Sequence, residues 1–339
     1  MFYDKPIFFE KNRVFRVYTG GKLFSEFFGD DSEDGFYPEE WVVSSVRALN
    51  EGSTDEHEGI SKIKDSELYL NEAVDKYRTE ILGEREDLGI LTKNLDSAIR
   101  LPVQAHPDKA FSQKYFSSKY GKEESWIILA TRPGAKIFYG FKDGVTLDDF
   151  SKAIDESETS SYAMENLLCS IDVKAGDVIY IPAKMVHAIG SGCLLLEVQE
   201  PTDFTIQPER WCGEYKLSDK EMYLGLEREK ALECFDMNKR YPAPLEPKLI
   251  SEENGVKYEA MIDETVTTSF SVRTVTLSGG EFALSRGAAV YVVTDGAGKI
   301  VGENYEYAVK KGDYFLMPEN AKNKFRICGD SIIITECFA

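Results

Sequence analysis

The sequence predicts a mainly β protein in two domains, a repeated architecture of sandwich or barrel type with helices inserted in its first part. Three observations carry that expectation. A chain of 339 residues exceeds one typical hydrophobic core. Its final stretch, roughly one hundred residues, runs as short apolar segments between glycine-containing turns with no helical period. Finally, Gly176-Asp177-Val178-Ile179-Tyr180-Ile181-Pro182 is echoed by Gly312-Asp313-Tyr314-Phe315-Leu316-Met317-Pro318. Each is a Gly-Asp turn, an apolar run and a closing proline, the mark of a repeated β unit.

The elements follow in order. IFFEK, FRVYTGGKLFSEFF and EEWVVSSVRA place aromatic and β-branched residues between Gly, Asp and Asn punctuation, so the first part of the chain reads as strands. Over 65–87 the pattern changes: Leu68, Leu70, Ala73, Val74, Tyr77 and Ile81 recur at helical spacing. Strands return from about Ile90 to Gly144. Residues 146–168 read as a helix opened by Thr146 as N-cap, with Asp149 three positions on. After strand-like residues from Ile171 to Phe204, 218–236 reads as a helix capped by Ser218. The proline-rich YPAPLEP is the linker that divides 1–238 from 239–339. FSVRTVTL, EFALS, AAVYVVT, DYFLMP, FRIC and SIIITECF complete the chain as strands.

Composition narrows the function. With 42% apolar and 12% aromatic residues the chain can bury a core, which excludes disorder. Forty basic against 59 acidic residues leave a net charge of −19, so nucleic acid and anionic membranes are repelled overall. An anionic small molecule binds only where a few Lys or Arg side chains override that field. The start, MFYDKPIFFEKN, lacks the apolar stretch of a signal peptide, and no segment reaches membrane-spanning length. The six cysteines, scattered from Cys169 onward without a CxxC pair, read as reduced thiols of a cytoplasmic protein. A monomer and a homodimer are equally compatible with the sequence.

Only three histidines exist. His57, in the charged stretch STDEHEGIS, reads as a solvated loop residue. In RLPVQAHPDK an extended backbone puts Gln104 and His106 on one face, and Pro107 ends the strand. In GKEESWIIL, Glu124 heads an apolar row with Trp126 and Ile128, where a buried carboxylate needs a cationic partner. In IPAKMVHAIG, His187 shares a face with Met185 and Ile189. Three strand segments can therefore converge with a Gln oxygen, two imidazoles and a carboxylate. Two imidazoles and a carboxylate are the donor set of many catalytic zinc sites. Taken singly, His106 and His187 each read as a satisfied core residue.

PVQAHPDK, GKEESWIIL, IFYGFKDGV and GDVIYIPAKMVHAIGSGCLLLEVQEPTDFT together resemble type I phosphomannose isomerases, particularly the short bacterial form. PEEWVVSS resembles a further segment of that family. The similarity spreads over about residues 5–237 and is strongest from 90 to 211. It implies two cupin (jelly-roll) barrels, the first bearing metal and the second without it. It implies one Zn2+ bound by Gln104, His106, Glu124 and His187, and interconversion of mannose 6-phosphate and fructose 6-phosphate through an enediolate. Lys122 matches a family lysine proposed as acid/base, and on a strand it shares a face with Glu124.

One position departs from the family pattern. An arginine that faces the active site is expected where this chain has Gln207, in Thr202-Asp203-Phe204-Thr205-Ile206-Gln207. Guanidinium pairs with phosphate in a way that an amide cannot copy. Arg210, three positions on, is the nearest replacement and joins Lys122 as an expected catalytic residue. Lys109 and Lys136 are further candidates for the phosphate. The departure keeps two alternatives open: an isomerase of another, unphosphorylated aldose, and a sugar-binding cupin without turnover. Manganese, iron and nickel accept the same donors as zinc.

Overall fold

The computed structural model describes residues 1–339. Its strands form a six-stranded and a nine-stranded sheet, with smaller sheets of three and two strands. The six-stranded sheet is antiparallel, in the order Arg13–Val14, Glu39–Val42, Leu91–Ser97, Cys193–Gln199, Glu124–Thr131, Val178–Ile181. Cys193–Gln199 is buried along its whole length. Side chains alternate across a strand, so Cys193 and Leu195 enter one core while Leu194, Leu196 and Val198 enter another. Burial on both faces accounts for the apolar run from Cys193 to Leu196, which lacks the polar alternation of a half-solvated strand.

On one side the three-stranded sheet Leu168–Asp172, Lys136–Phe141, His187–Ile189 covers the six-stranded one. Thirty-five buried residues make up this core, among them Trp126, Ile128, Ile137, Ile179 and Ile189. Each such aliphatic side chain contributes ~1.5–3 kcal/mol on leaving water. On the other side Val272, Val290, Val292 and Leu316 of the nine-stranded sheet join Leu194, Leu196 and Val198 in a cluster of 28 buried residues. That sheet holds a third core of 16, including Val275, Tyr291, Phe315, Ile327 and Ile334. Ile7–Phe8 pairs with Tyr314–Met317, so the start of the chain lies in the C-terminal sheet.

The Gly-Asp echo is one turn built twice. Gly176 and Gly312 take φ of 94° and 93°, a region glycine enters freely. Asp177 accepts from the Lys174 amide at 2.9 Å, and Asp313 from the Lys310 amide at 2.8 Å. The strands that follow, Val178–Ile181 and Tyr314–Met317, are fully buried in different sheets.

Helices differ from expectation in instructive ways. The first lies at Leu70–Leu82. The helix expected over 146–168 shortens to Leu147–Glu156, still capped by Thr146, with a 3-10 turn at Glu165–Leu167. That expected over 218–236 splits into Asp219–Tyr223 and Arg228–Leu232, because Leu224 and Gly225 adopt φ of 53° and 79°. Two helices stand where strands were expected. Lys22–Phe28 has its first amides capped by Asp96, which accepts from Gly21 at 2.7 Å and Leu23 at 2.9 Å. That cap is remote in sequence, so no local signal announces it. Lys109–Phe116 is capped by Asp108, which accepts from the Phe111 amide at 2.7 Å. Here the signal is local, an aspartate just after Pro107. No helix is long and apolar enough to cross a membrane, and all six cysteines are free.

Candidate metal centre and the cavity before it

Gln104 and His187 face each other as an antiparallel pair, exchanging backbone hydrogen bonds of 2.9 Å in both directions. Directly opposed residues of such a pair send their side chains to the same face. The segment carrying Gln104 and His106 is held by isolated bridges, at Gln104 and Ala105, rather than by a continuous strand. Glu124 begins the strand Glu124–Thr131, opposite Gln199 on one side and Ile181 on the other. His106, Glu124 and His187 are all at most 1% exposed.

Their donor atoms lie within 4.8 Å of one another. His187 Nδ1 is 2.9 Å from the Met185 carbonyl and His106 Nδ1 is 3.0 Å from the Phe204 carbonyl. A carbonyl only accepts, so both rings carry their proton on Nδ1 and present an Nε2 lone pair inward. Those lone pairs meet the Glu124 carboxylate: Oε2 is 3.2 Å from His106 Nε2 and Oε1 is 3.3 Å from His187 Nε2. His187 Nε2 has no hydrogen-bond donor at all. Acceptor facing acceptor in a dry interior is unfavourable unless a cation lies between them. Backbone carbonyls that fix the tautomer of an imidazole are the usual support of a metal ligand. The site fits a divalent ion on this count.

Lys122 lies against the same atoms. Its ammonium is 2.5 Å from Glu124 Oε2 and 2.8 Å from His106 Nε2. Burial and then the Lys122 charge hold His106 at about 3, so its ring is neutral and available as a ligand. Burial opposes the charge on Glu124, but the Lys122 ammonium in contact with it outweighs burial and keeps the carboxyl well below the usual range. His106 Nε2 has one lone pair, so a metal ion and the Lys122 ammonium compete for it.

A cavity of about 410 Å3 opens in front, with Gln104 and Lys122 in its wall. The two histidines and Glu124 lie behind that wall. The cavity floor was not legible as a site in the sequence. Trp41, Lys93, Glu197, Trp126 and Ile179 are successive cross-strand partners in one row of the six-stranded sheet. The Lys93 ammonium is 3.3 Å from Glu197 and 3.6 Å from Glu39, and Trp126 Nε1 donates to Glu197 at 3.2 Å. Burial and the nearby Glu124 charge push Glu197 up, while Arg16 and Lys93 overcome burial at Glu39 and hold it at about 2. Glu197 inside the largely apolar CLLLEVQ was the available signal; Lys93 stands among Thr92, Asn94 and Asp96 in ILTKNLD and is not marked out by its neighbours.

Gln207 reaches the cavity wall as expected. Arg210 does not. Its guanidinium is committed to Glu158 at 2.6 Å, Asp219 at 2.7 Å and the Leu217 carbonyl at 2.8 Å. Two carboxylates and a carbonyl draw it to the helical side of the chain. Lys109 turns to Glu200 and Ser269, and Lys136 is absent from the cavity wall.

A mainly β fold with two inward imidazoles and a carboxylate at the head of a cavity defines a cupin with a divalent-metal donor set. No protein-family model matches the chain. The mannose-6-phosphate isomerase ManA of Bacillus subtilis is 31% identical over 242 residues, 69% of this chain and 70% of the relative. The mannose-6-phosphate isomerase of Streptococcus mutans is 27% identical over 338 residues, 97% of each chain. The chain belongs to the mannose-6-phosphate isomerase family. In fold it matches the crystal structure of the mannose 6-phosphate isomerase from Bacillus subtilis with a TM-score of 0.78, at 22% identity, over 99% of this chain and 100% of that one.

Proposed function

We propose that the protein is a zinc-dependent aldose–ketose isomerase interconverting mannose 6-phosphate and fructose 6-phosphate. The observation that carries this reading is the convergence of the two Nε2 lone pairs on the Glu124 carboxylate beside a cavity of hexose size. Gln104, His106, Glu124 and His187 would hold the ion, which supplies Lewis-acid polarisation of substrate oxygens. In this reading the catalytic cupin barrel lies within 1–238, except that Ile7–Phe8 pairs into the sheet of 239–339, a second barrel without metal ligands. Six free cysteines support a cytoplasmic setting.

The reaction moves one proton from C2 to C1 and a second from O2 to O1 through an enediolate, so one group must take up and return the carbon-bound proton. We assign that work to Lys122, a reading supported by its position in the cavity wall and its contacts with His106 and Glu124. His106 Nε2 has one lone pair, so with a divalent ion held there Lys122 would give up that contact and keep its place in the cavity wall. Asp177 and the carbonyls of Met185 and Phe204 act by positioning. The first holds the turn before Val178–Ile181, and the carbonyls keep the imidazole protons on Nδ1.

A coupled assay of fructose 6-phosphate formation from mannose 6-phosphate, with zinc added, tests the proposal. Turnover that is lost in both Glu124→Gln and Lys122→Ala supports it. A protein that retains stoichiometric metal yet shows no rate would sink it. A second reading, isomerisation of an unphosphorylated aldose, is favoured by one observation: Gln207 reaches the cavity while Arg210 is held elsewhere. Faster turnover of free mannose than of its phosphate would establish that reading.

A further inference from the structure

A phosphate dianion needs a positive charge that is not already spent. Four cationic side chains line the cavity: Arg16, Lys93, Lys122 and Lys220. Three of them are neutralised in contact. Arg16 gives Nε to Glu39 at 3.1 Å, Nη1 to Asn50 at 3.0 Å and Nη2 to Asp203 at 3.1 Å. Lys93 lies between Glu39 and Glu197, and Lys122 lies on Glu124. A charge paired at 3 Å acts at a distance as a dipole, whose field falls off faster than that of a lone charge. Its donors are also occupied.

Lys220 differs in each respect. Its side chain is 71% exposed, it makes no hydrogen bond, and its nearest carboxylate, Glu51, stands 3.9 Å away. It sits on Asp219–Tyr223, the helix against which the Gln207 backbone amide bonds the Met222 carbonyl at 2.9 Å. The Gln207 side-chain amide donates to the adjoining Glu221 carbonyl at 3.2 Å. Lys220 and Gln207 therefore belong to one patch of the wall. We infer that Lys220 is the specificity-determining residue that recognises the phosphate of the substrate, with no buried guanidinium behind it. This rests on the isomerase reading above.

An exposed ammonium is a screened anchor, so recognition of the phosphate weakens with salt. The test compares wild type, Lys220→Ala, Lys220→Arg and the double variant Lys220→Ala/Gln207→Arg, all loaded with zinc. For each, the KM and kcat for mannose 6-phosphate are measured at low and high salt. The Kd of fructose 6-phosphate is measured by calorimetry. In Lys220→Ala, KM and Kd rise about tenfold with kcat held, equivalent to ~1.4 kcal/mol of binding. Their salt dependence flattens. Lys220→Arg restores both, and Gln207→Arg in the Lys220→Ala background recovers affinity by placing a guanidinium on the same wall.

A wild type that turns over, with KM and Kd unmoved in Lys220→Ala, overturns the assignment and leaves the isomerase intact. A wild type without turnover, whose Kd still rises in Lys220→Ala, keeps the phosphate site and removes the isomerase. No binding of fructose 6-phosphate by the metal-loaded wild type overturns both.

Discussion

Glu197 stands opposite Lys93 across the centre of the six-stranded sheet, with 3.3 Å between carboxylate and ammonium and each residue 3% exposed. Lys93 also serves Glu39, so one ammonium compensates two buried carboxylates. Removing one partner of a buried ion pair strands the other charge, which costs about 3–5 kcal/mol. Lys93→Ala is expected to lower stability by about that much in urea denaturation. Lys93→Met combined with Glu197→Gln is expected to recover most of the loss, because it leaves no second stranded charge at Glu197. An equal loss in both variants would show that packing rather than charge is at stake.

Glu39 sets an acid limit. Burial opposes its ionisation, yet Arg16, Lys93, Trp41 and Tyr18 hold it at about 2, below its ordinary 4.5. A carboxylate depressed by folding stabilises fully above the unfolded value and loses that contribution as pH falls through the folded one. The loss therefore runs from about pH 4.5 down to about pH 2 and amounts to about 3 kcal/mol. Glu40, Asp96 and Glu200, whose carboxyls burial pushes up, act with the opposite sign and soften the total. The difference between wild type and Glu39→Gln, followed by circular dichroism from pH 6 to pH 2, isolates the Glu39 part. A difference that does not change over this range refutes it.

Zinc is expected to stabilise the folded chain, since ligands that bind only the native state add RT ln(1 + [L]/Kd), about 4 kcal/mol at a thousandfold excess over Kd. His187→Ala removes the lone pair that has no donor and is expected to abolish most of that increment in thermal melts with and without zinc. The same shift in both proteins would place the ion elsewhere.

Glu209 holds the chain just ahead of Gln104 and His106, two of the proposed metal ligands. Its fully buried carboxylate accepts both Arg100 nitrogens at 2.8 Å and the Val103 amide at 2.7 Å, just ahead of Gln104 and His106. Glu209→Ala strands a mostly buried guanidinium and an amide, at about 3–5 kcal/mol. Zinc affinity is expected to fall with it by about 10–100-fold, the scale of lost supporting contacts. Competition with a chelator reads this directly, and unchanged affinity in the folded variant would separate Glu209 from the site.

How much of this was legible beforehand depends on the range of the interaction. The strand runs, the Gly-Asp echo and the helix at Leu70–Leu82 are local patterns, and the local chain realises them. Glu124 and His187 were visible as polar residues on strand faces, because an alternating backbone fixes which neighbours share a side, while Gln104 and His106 were read in the same way although isolated bridges rather than a strand hold them. The helix Lys22–Phe28 was not visible, since its cap is Asp96.

By itself, then, the sequence determined the β character of the chain, the set of inward donors and the acidic surface, all properties of residue type and of period along one strand. Only the tertiary structure decided which charges remain available. Arg210 is drawn to Glu158 and Asp219, Lys93 is shared between Glu39 and Glu197, and Lys220 keeps only a loose 3.9 Å contact with Glu51. Pairing energy depends on distance and burial between segments far apart in the chain, and no spacing along the sequence encodes that.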